Sequence, residues 1–101
     1  MAVPFAKSLS VTDSLATTAW LDMADFTKAS FQTAGAVTLT IYGSNDDAPG
    51  SDTFVAAADE EGDAITITAV AAGIFQRDDC CSFRYIKVLG SATATVLAYM
   101  K

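Results

Sequence analysis

The chain has 101 residues, which is enough for one domain and too few for two. Apolar residues make up 51% of the chain and charged residues 18%, a balance that excludes intrinsic disorder. The net charge of −6 argues against nucleic-acid binding, and the absence of histidine removes the commonest general base and zinc ligand. We expect a β-rich globular domain that is not an enzyme, with no catalytic residues and no cofactor.

The N-terminal region, residues 1–11, contains Pro4 and Phe5 before any clear periodicity. This pattern indicates an extended arm or an edge strand, followed by a domain at 12–101. The chain does not begin with the charged and apolar segments of a secretory signal, and no apolar run reaches the about 18 residues that span a membrane. We therefore expect no membrane association.

The segment before and including Trp20 is ambiguous between helix and strand. Leu15, Ala19, Trp20 and Met23 have helical spacing, whereas the threonines at 17 and 18 are β-branched and have restricted χ1 angles. We favour a strand over 16–21, with the helix as the alternative.

The rest of the chain breaks into short β-like runs with turn signals between them. These runs predict strands at 29–33, 37–42, 53–58, 64–70, 73–77, 83–89 and 93–100. A polar loop is predicted at 43–52, and a hairpin turn at 59–63 with Gly62 in the positive-φ position. Seven to eight strands at roughly even spacing are typical of an antiparallel β-sandwich, here jelly-roll-like, preceded by the extended N-terminal arm.

Two adjacent cysteines, Cys80 and Cys81, are the only ones in the chain. Neighbouring side chains of a strand point to opposite faces, so a bond between these two would close a strained ring. We expect two free thiols, and a vicinal disulfide switch is the alternative. A metal site would need more ligands than this pair supplies.

Two acidic groups are candidate functional sites. Asp46, Asp47 and Asp52 share one loop, where their oxygens could hold calcium, but the spacing is not that of an EF-hand. We expect a solvated turn, with a calcium site as the alternative. The second group, at 59–63, lies on the predicted hairpin tip with no apolar pocket to raise a pKa, so we expect solvated carboxylates there as well.

Three basic residues, Arg77, Arg84 and Lys87, lie close together in the sequence beside two acids. We expect a mixed-charge surface rather than a nucleic-acid site. Trp20 is the only tryptophan. A lone tryptophan in a small sandwich packs in the core more often than not, but an exposed one would be the first candidate for an interface.

Three stretches together resemble small bacteriophage structural proteins. They are WLDMADFT at 20–27 with SFQ at 30–32, TIYGSND at 40–46, and FRYIKV at 83–88 with TATV at 93–96. The resemblance implies a β-sandwich on the outer surface of a phage capsid, assembled in the host cytoplasm. The expected role is a capsid decoration (cement) protein that binds and stabilises the coat-protein shell, or else a tail or neck component.

The resemblance also implies partners, namely the major capsid protein or other virion proteins, and a homo-oligomer. For the contact we predict Val3, Pro4, Phe5 and Trp20. The loop after the strand at 37–42 is also similar to that of galactose-binding-like carbohydrate modules, although the tryptophan usual there is absent. A carbohydrate-binding module is therefore the alternative from a different functional class.

Overall fold

The alternation of apolar and polar residues produces nine β-strands in the computed structural model, which describes residues 4–15, 20–50 and 53–101. The strands are β1 (Phe5–Val11), β2 (Trp20–Asp22), β3 (Ala29–Thr33), β4 (Val37–Ser44), β5 (Val55–Ala56), β6 (Thr66–Ala69), β7 (Gly73–Gln76), β8 (Tyr85–Gly90) and β9 (Ala94–Met100). A 3₁₀ helix, Asp78–Ser82, lies between β7 and β8. Among the described residues, no helix is long and apolar enough to cross a membrane.

The strands form two antiparallel sheets that pack as a sandwich. The first sheet has the order β1-β9-β3-β7, and the second has the order β2-β8-β4, with β5 and β6 both pairing with the free edge of β4. Counted as one interrupted strand, β5 and β6 complete the eight-stranded order of a jelly roll. The predicted β-sandwich is confirmed, and the ninth strand arises from this interruption.

The interruption is a hairpin inserted where β5 and β6 pass Ile41. The Ile41 carbonyl accepts the Ala57 amide, and the Ile41 amide donates to the Ile65 carbonyl, both at 3.0 Å. The Ile65 amide in turn donates to the Ala57 carbonyl at 3.0 Å, which closes the base of the hairpin. At the tip Gly62 has φ +87°, as predicted for this turn.

The core lies between the two sheets and follows the period of two. In β4, Val37, Leu39 and Ile41 point inward and are buried, as their alternation predicts, while Thr38 and Thr40 lie on the outer face. The other large side chains with less than 2% exposure include Phe31, Ile65, Ile86, Val88, Val96 and Met100. This core fixes the register of both sheets, because a slip of one residue would turn these side chains to solvent.

The structure departs from the predicted elements in three places. The strand predicted over 16–21 is observed as Trp20–Asp22, and residues 16–19 lie outside the described part of the chain. The strand predicted at 53–58 is reduced to Val55–Ala56, because the inserted hairpin starts directly after it.

The third departure concerns the two cysteines, which lie in a 3₁₀ helix, whereas the expectation that no bond joins them rests on the geometry of a strand. This helix is fixed by side chains that the strand pattern does not reveal. Asp78 accepts the Ala29 amide through Oδ1 at 3.1 Å, and Arg77 Nη2 lies 2.6 Å from Asp79 Oδ2.

Candidate functional site

Trp20 lies on the surface, with 44% of its side chain exposed, so the interpretation of this residue as core is wrong. The reason is the period of β2, in which the next residue, Leu21, is 3% exposed and points into the core. Trp20 therefore lies on the outer face of the second sheet, at the edge formed by β2.

The Trp20 ring is fixed by two aromatic neighbours. It stacks on Phe54 with a centroid distance of 6.2 Å and an interplanar angle of 23°, and it meets the edge of Tyr85 at 6.4 Å. Phe54 is only 4% exposed, so the cluster has a buried base and an exposed top. A ring held in this way loses little conformational entropy when a partner covers it.

Lys87 lies beneath these rings and is only 2% exposed, so the prediction of a mixed-charge surface is wrong for this residue. Its register partner in β2 is Trp20, and its ammonium nitrogen is 5.0 Å from the Phe54 ring centroid and 6.0 Å from that of Trp20. The ammonium also donates to the carbonyl of Leu15. Lys87 thus supports the aromatic rings from below and joins β8 to the segment before β2.

Arg84 forms the exposed cationic border of this cluster. Its Nη2 donates to the Tyr85 hydroxyl at 3.2 Å, and its guanidinium carbon is 5.0 Å from the Tyr85 ring centroid. The same Nη2 is 3.7 Å from a carboxylate oxygen of Asp22. The hydrogen bond to Tyr85, followed by the charge of Asp22, raises the pKa of Arg84.

We name the set formed by exposed Trp20, exposed Arg84 and half-buried Tyr85 the Trp20 surface. Tryptophan, tyrosine and arginine are the residues that most often contribute large binding energies at protein interfaces. The arrangement has no nucleophile beside a base, and what it offers chemically is apolar area, a π face and a fixed positive charge.

The other predicted contact residues lie elsewhere. Val3 is outside the described residues, Pro4 is exposed, and Phe5 is 43% exposed at the start of β1. The Phe5 ring lies 6.3 Å from that of Phe26, whereas the Trp20 ring contacts Phe54 and Tyr85. The structure therefore does not bring Phe5 into the Trp20 surface.

The two acidic groups differ in their geometry. In the first, Asp46 Oδ1 accepts the amide of Ala48 at 3.0 Å, while Asp52 is outside the described residues. In the second, single carboxylate oxygens of Asp59, Glu61 and Asp63 lie within 4.8 Å of one another on the exposed hairpin.

The Asp59 carboxylate is engaged in the hairpin turn itself. Its Oδ1 accepts the amides of Glu61 and Asp63 at 3.0 Å, so part of its hydrogen-bonding capacity stabilises the turn. The calcium site at Asp46, Asp47 and Asp52 stays a prediction.

The two cysteines are free thiols with different surroundings. Cys80 is fully buried, and burial raises the pKa of its thiol to about 12. Cys81 is half-buried, and burial also raises its pKa. Both shifts lower the fraction of thiolate, which is the reactive form of cysteine.

The comparisons with known proteins concern the fold. No family model matches the chain, and no curated protein matches it. Among solved structures, the chain is similar to the crystal structure of SPBc2 prophage-derived protein YomS, with a TM-score of 0.52 and 9% sequence identity. The similarity covers 99% of this chain and 96% of that chain. The small all-β fold of this chain is therefore shared, over its whole length, with a prophage-derived protein.

Proposed function

We propose that this chain is a structural protein of a bacteriophage particle, a capsid decoration protein that binds the coat-protein shell and stabilises it. The observation that carries the proposal is the Trp20 surface, an ordered aromatic and cationic patch on the outer face of the second sheet. The fold shared with a prophage-derived protein supports the same origin. The role is non-catalytic binding.

A protein of this kind stabilises a shell by mass action. Each copy binds only the assembled lattice, so dissociation of the lattice must first release many bound copies. The partner we propose is the major capsid protein, with a patch that accepts the Trp20 ring and a carboxylate that meets Arg84. A carboxylate is expected because the Arg84 guanidinium is exposed and, among the described residues, its one ion pair is with Asp22 at the long distance of 3.7 Å.

The experiment is co-sedimentation of the purified chain with coat-protein shells that lack it. We expect Trp20→Ala to weaken binding by 2–4 kcal/mol, roughly 30- to 1000-fold in Kd, as for a central aromatic contact. The matched control is Val70→Ala, because Val70 is 88% exposed and outside the Trp20 surface. Equal binding of the two folded variants would contradict the proposal that the Trp20 surface is the contact.

Two alternative functions predict different experimental results. A tail or neck component would use the same fold but occur in few copies per particle. A carbohydrate-binding module is favoured by one observation, an open groove of about 540 Å³ on the first sheet, where half-exposed Tyr99 lies beside Gln76 and Asp78. A ring flanked by planar polar groups suits a sugar. Binding on a glycan array that Tyr99→Ala abolishes would support this alternative, whereas no binding would dismiss it.

A further inference from the structure

The strand β1 is unlike the other edges of the two sheets. It is seven residues long and pairs with β9 in one unbroken register from Phe5↔Met100 to Val11↔Ala94. The other edges are β2 with three residues, β7 with four, and the interrupted pair β5 and β6 with two and four. Proteins commonly keep edge strands short or interrupted because their free amides and carbonyls pair with other chains.

The side chains of β1 do little to prevent such pairing. Lys7 is its only charged residue, and Pro4 precedes the strand. The first four residues of β1, from Phe5 to Ser8, are all exposed. Among the described residues, β9 is the only strand that pairs with β1, so alternate amides and carbonyls of β1 point away from the sheet.

The outer face of the first sheet has uncharged side chains along all four of its strands, although the chain carries a net charge of −6. Its exposed and half-exposed outer side chains are Ala6, Ser8, Ser10, Ser30, Gln32, Ile74, Gln76, Thr95, Leu97 and Tyr99. Lys28, Asp78 and Lys101 line the groove beside Tyr99 on this face, and Lys28 pairs with Asp78 at 3.4 Å. A second copy of this chain that approaches along β1 would therefore meet uncharged outer side chains on the strands nearest to it. The edge thus suits self-association, which charge repulsion would otherwise oppose.

We propose that β1 pairs antiparallel with β1 of a second copy. The two copies are related by a twofold axis that is perpendicular to the sheet and passes midway between the two Ser8 residues. In an antiparallel pair, a residue of one β1 strand whose amide points outward must face such a residue of the other β1 strand. These residues alternate along β1, so the residue numbers of two facing residues add up to an even number. A centre at Lys7 would oppose two lysines, whereas a centre at Ser8 pairs all seven residues and places Lys7 opposite Leu9. The two first sheets then form one continuous sheet of eight strands.

This symmetry gives the dimer two different sides. An axis perpendicular to the sheets leaves both second sheets on the same side of the dimer, so both Trp20 surfaces face the same way. If the proposed function holds, one dimer could engage the shell at two points, and the second contact would be favoured by its high effective concentration. Pairing of the β1 strands does not depend on that function.

The contact is small, so we expect weak association of the isolated chain. One pair of seven-residue strands buries less than the about 1,200 Å² at the lower end of standard interfaces. In sedimentation equilibrium, the apparent mass should therefore rise from 10.5 kDa toward twice that value as the concentration approaches about 1 mM. A mass that stays at 10.5 kDa over this range would overturn the proposal.

Cross-linking tests the register. In a Cys81→Ser background, Ser8→Cys should form a disulfide-linked dimer under mild oxidation, because opposite Cβ atoms lie about 5 Å apart. The matched control is Ser10→Cys, whose two copies would lie about 14 Å apart along the strands, too far for a disulfide. Equal cross-linking of both variants, or of neither, would overturn the Ser8-centred register.

A charge variant separates this contact from the Trp20 surface. Ser8→Lys opposes two lysines at the axis and should weaken dimerisation at least about tenfold, whereas Ser30→Lys on the same face, away from β1, should not. Trp20→Ala should leave the dimer unchanged, since Trp20 lies on the outer face of the other sheet. Loss of dimerisation with Trp20→Ala would contradict the β1 contact, and loss of shell binding alone would leave it intact.

Discussion

At the scale of single residues, Lys87 shows how a charged side chain can support the Trp20 surface from below without being exposed. Its ammonium donates to the Leu15 carbonyl and lies between two aromatic rings, 5.0 Å from Phe54 and 6.0 Å from Trp20. In the described part of the chain Lys87 forms no ion pair with a carboxylate, and a buried cation needs such compensation because leaving water is costly. Because these contacts are mutual, the positions of the Trp20 and Phe54 rings also depend on Lys87.

Two substitutions of Lys87 separate the role of its chain from that of its charge. We expect Lys87→Ala to lower the free energy of unfolding by about 3 kcal/mol, since it leaves a cavity under the rings. Lys87→Met fills that cavity and should cost about 1–2 kcal/mol, from the lost hydrogen bond and cation–π contacts. Urea unfolding measures both. Equal losses would show that packing by the lysine stem contributes little.

The buried thiol of Cys80 predicts a pH dependence of stability. Burial raises the pKa of Cys80 from 9.0 to about 12, so the folded state holds its proton more tightly than the unfolded state does. The resulting stability is complete below about pH 9 and is lost as the pH rises toward 12, by up to about 4 kcal/mol.

The measurement is the free energy of unfolding between pH 8 and about pH 11, compared with that of Cys80→Ala. The wild-type protein should lose more stability than the variant over this range, since tyrosines and lysines titrate in both. If the free energy of unfolding changed with pH in the same way in both proteins, this result would contradict the raised pKa of Cys80. At pH 8 a thiol reagent should label Cys80 only after unfolding, because about one thiol in 10⁴ is then ionised.

At the scale of secondary structure, the local pattern predicts strands well where one face of the strand is buried. The strand at 29–33 has the predicted bounds, and those predicted at 37–42 and 93–100 extend or shrink by at most two residues. The division of the strand beside β4 into β5 and β6 depends on hydrogen bonds to Ile41. This is a long-range contact that no local pattern reveals. The 3₁₀ helix likewise depends on the contact of Asp78 with the distant Ala29 amide.

Gly62, at the tip of the inserted hairpin, gives a prediction for which Gly35 is the control. Gly62 has φ +87°, where any side chain is strained, and Gly62→Ala should destabilise the protein by about 1–2 kcal/mol. Gly35→Ala is the matched control, because a Cβ at Gly35 also meets nothing within 4 Å and its φ is not positive. Thermal unfolding compares them, and equal melting temperatures would contradict the strain at Gly62.

At the scale of the whole molecule, the β-sandwich could be predicted because the runs are short, alternating and evenly spaced. The candidate site could be predicted only in part. Trp20 is conspicuous as the only tryptophan, but its exposure depends on the register of β2 against β8. The alternation of Tyr85 and Lys87 with buried Ile86 places both on one face of β8, yet the burial of Lys87 requires Phe54 from a distant loop.

At this scale, a count of the copies of this chain in each particle tests the proposed role as a decoration protein of a phage shell. Quantitative mass spectrometry of gradient-purified particles from the source of the chain gives its ratio to the major capsid protein. A decoration protein repeated over the coat lattice predicts copies on the order of hundreds per particle. About a dozen copies or fewer would contradict decoration in favour of a tail or neck component, and none at all would contradict a role in the particle.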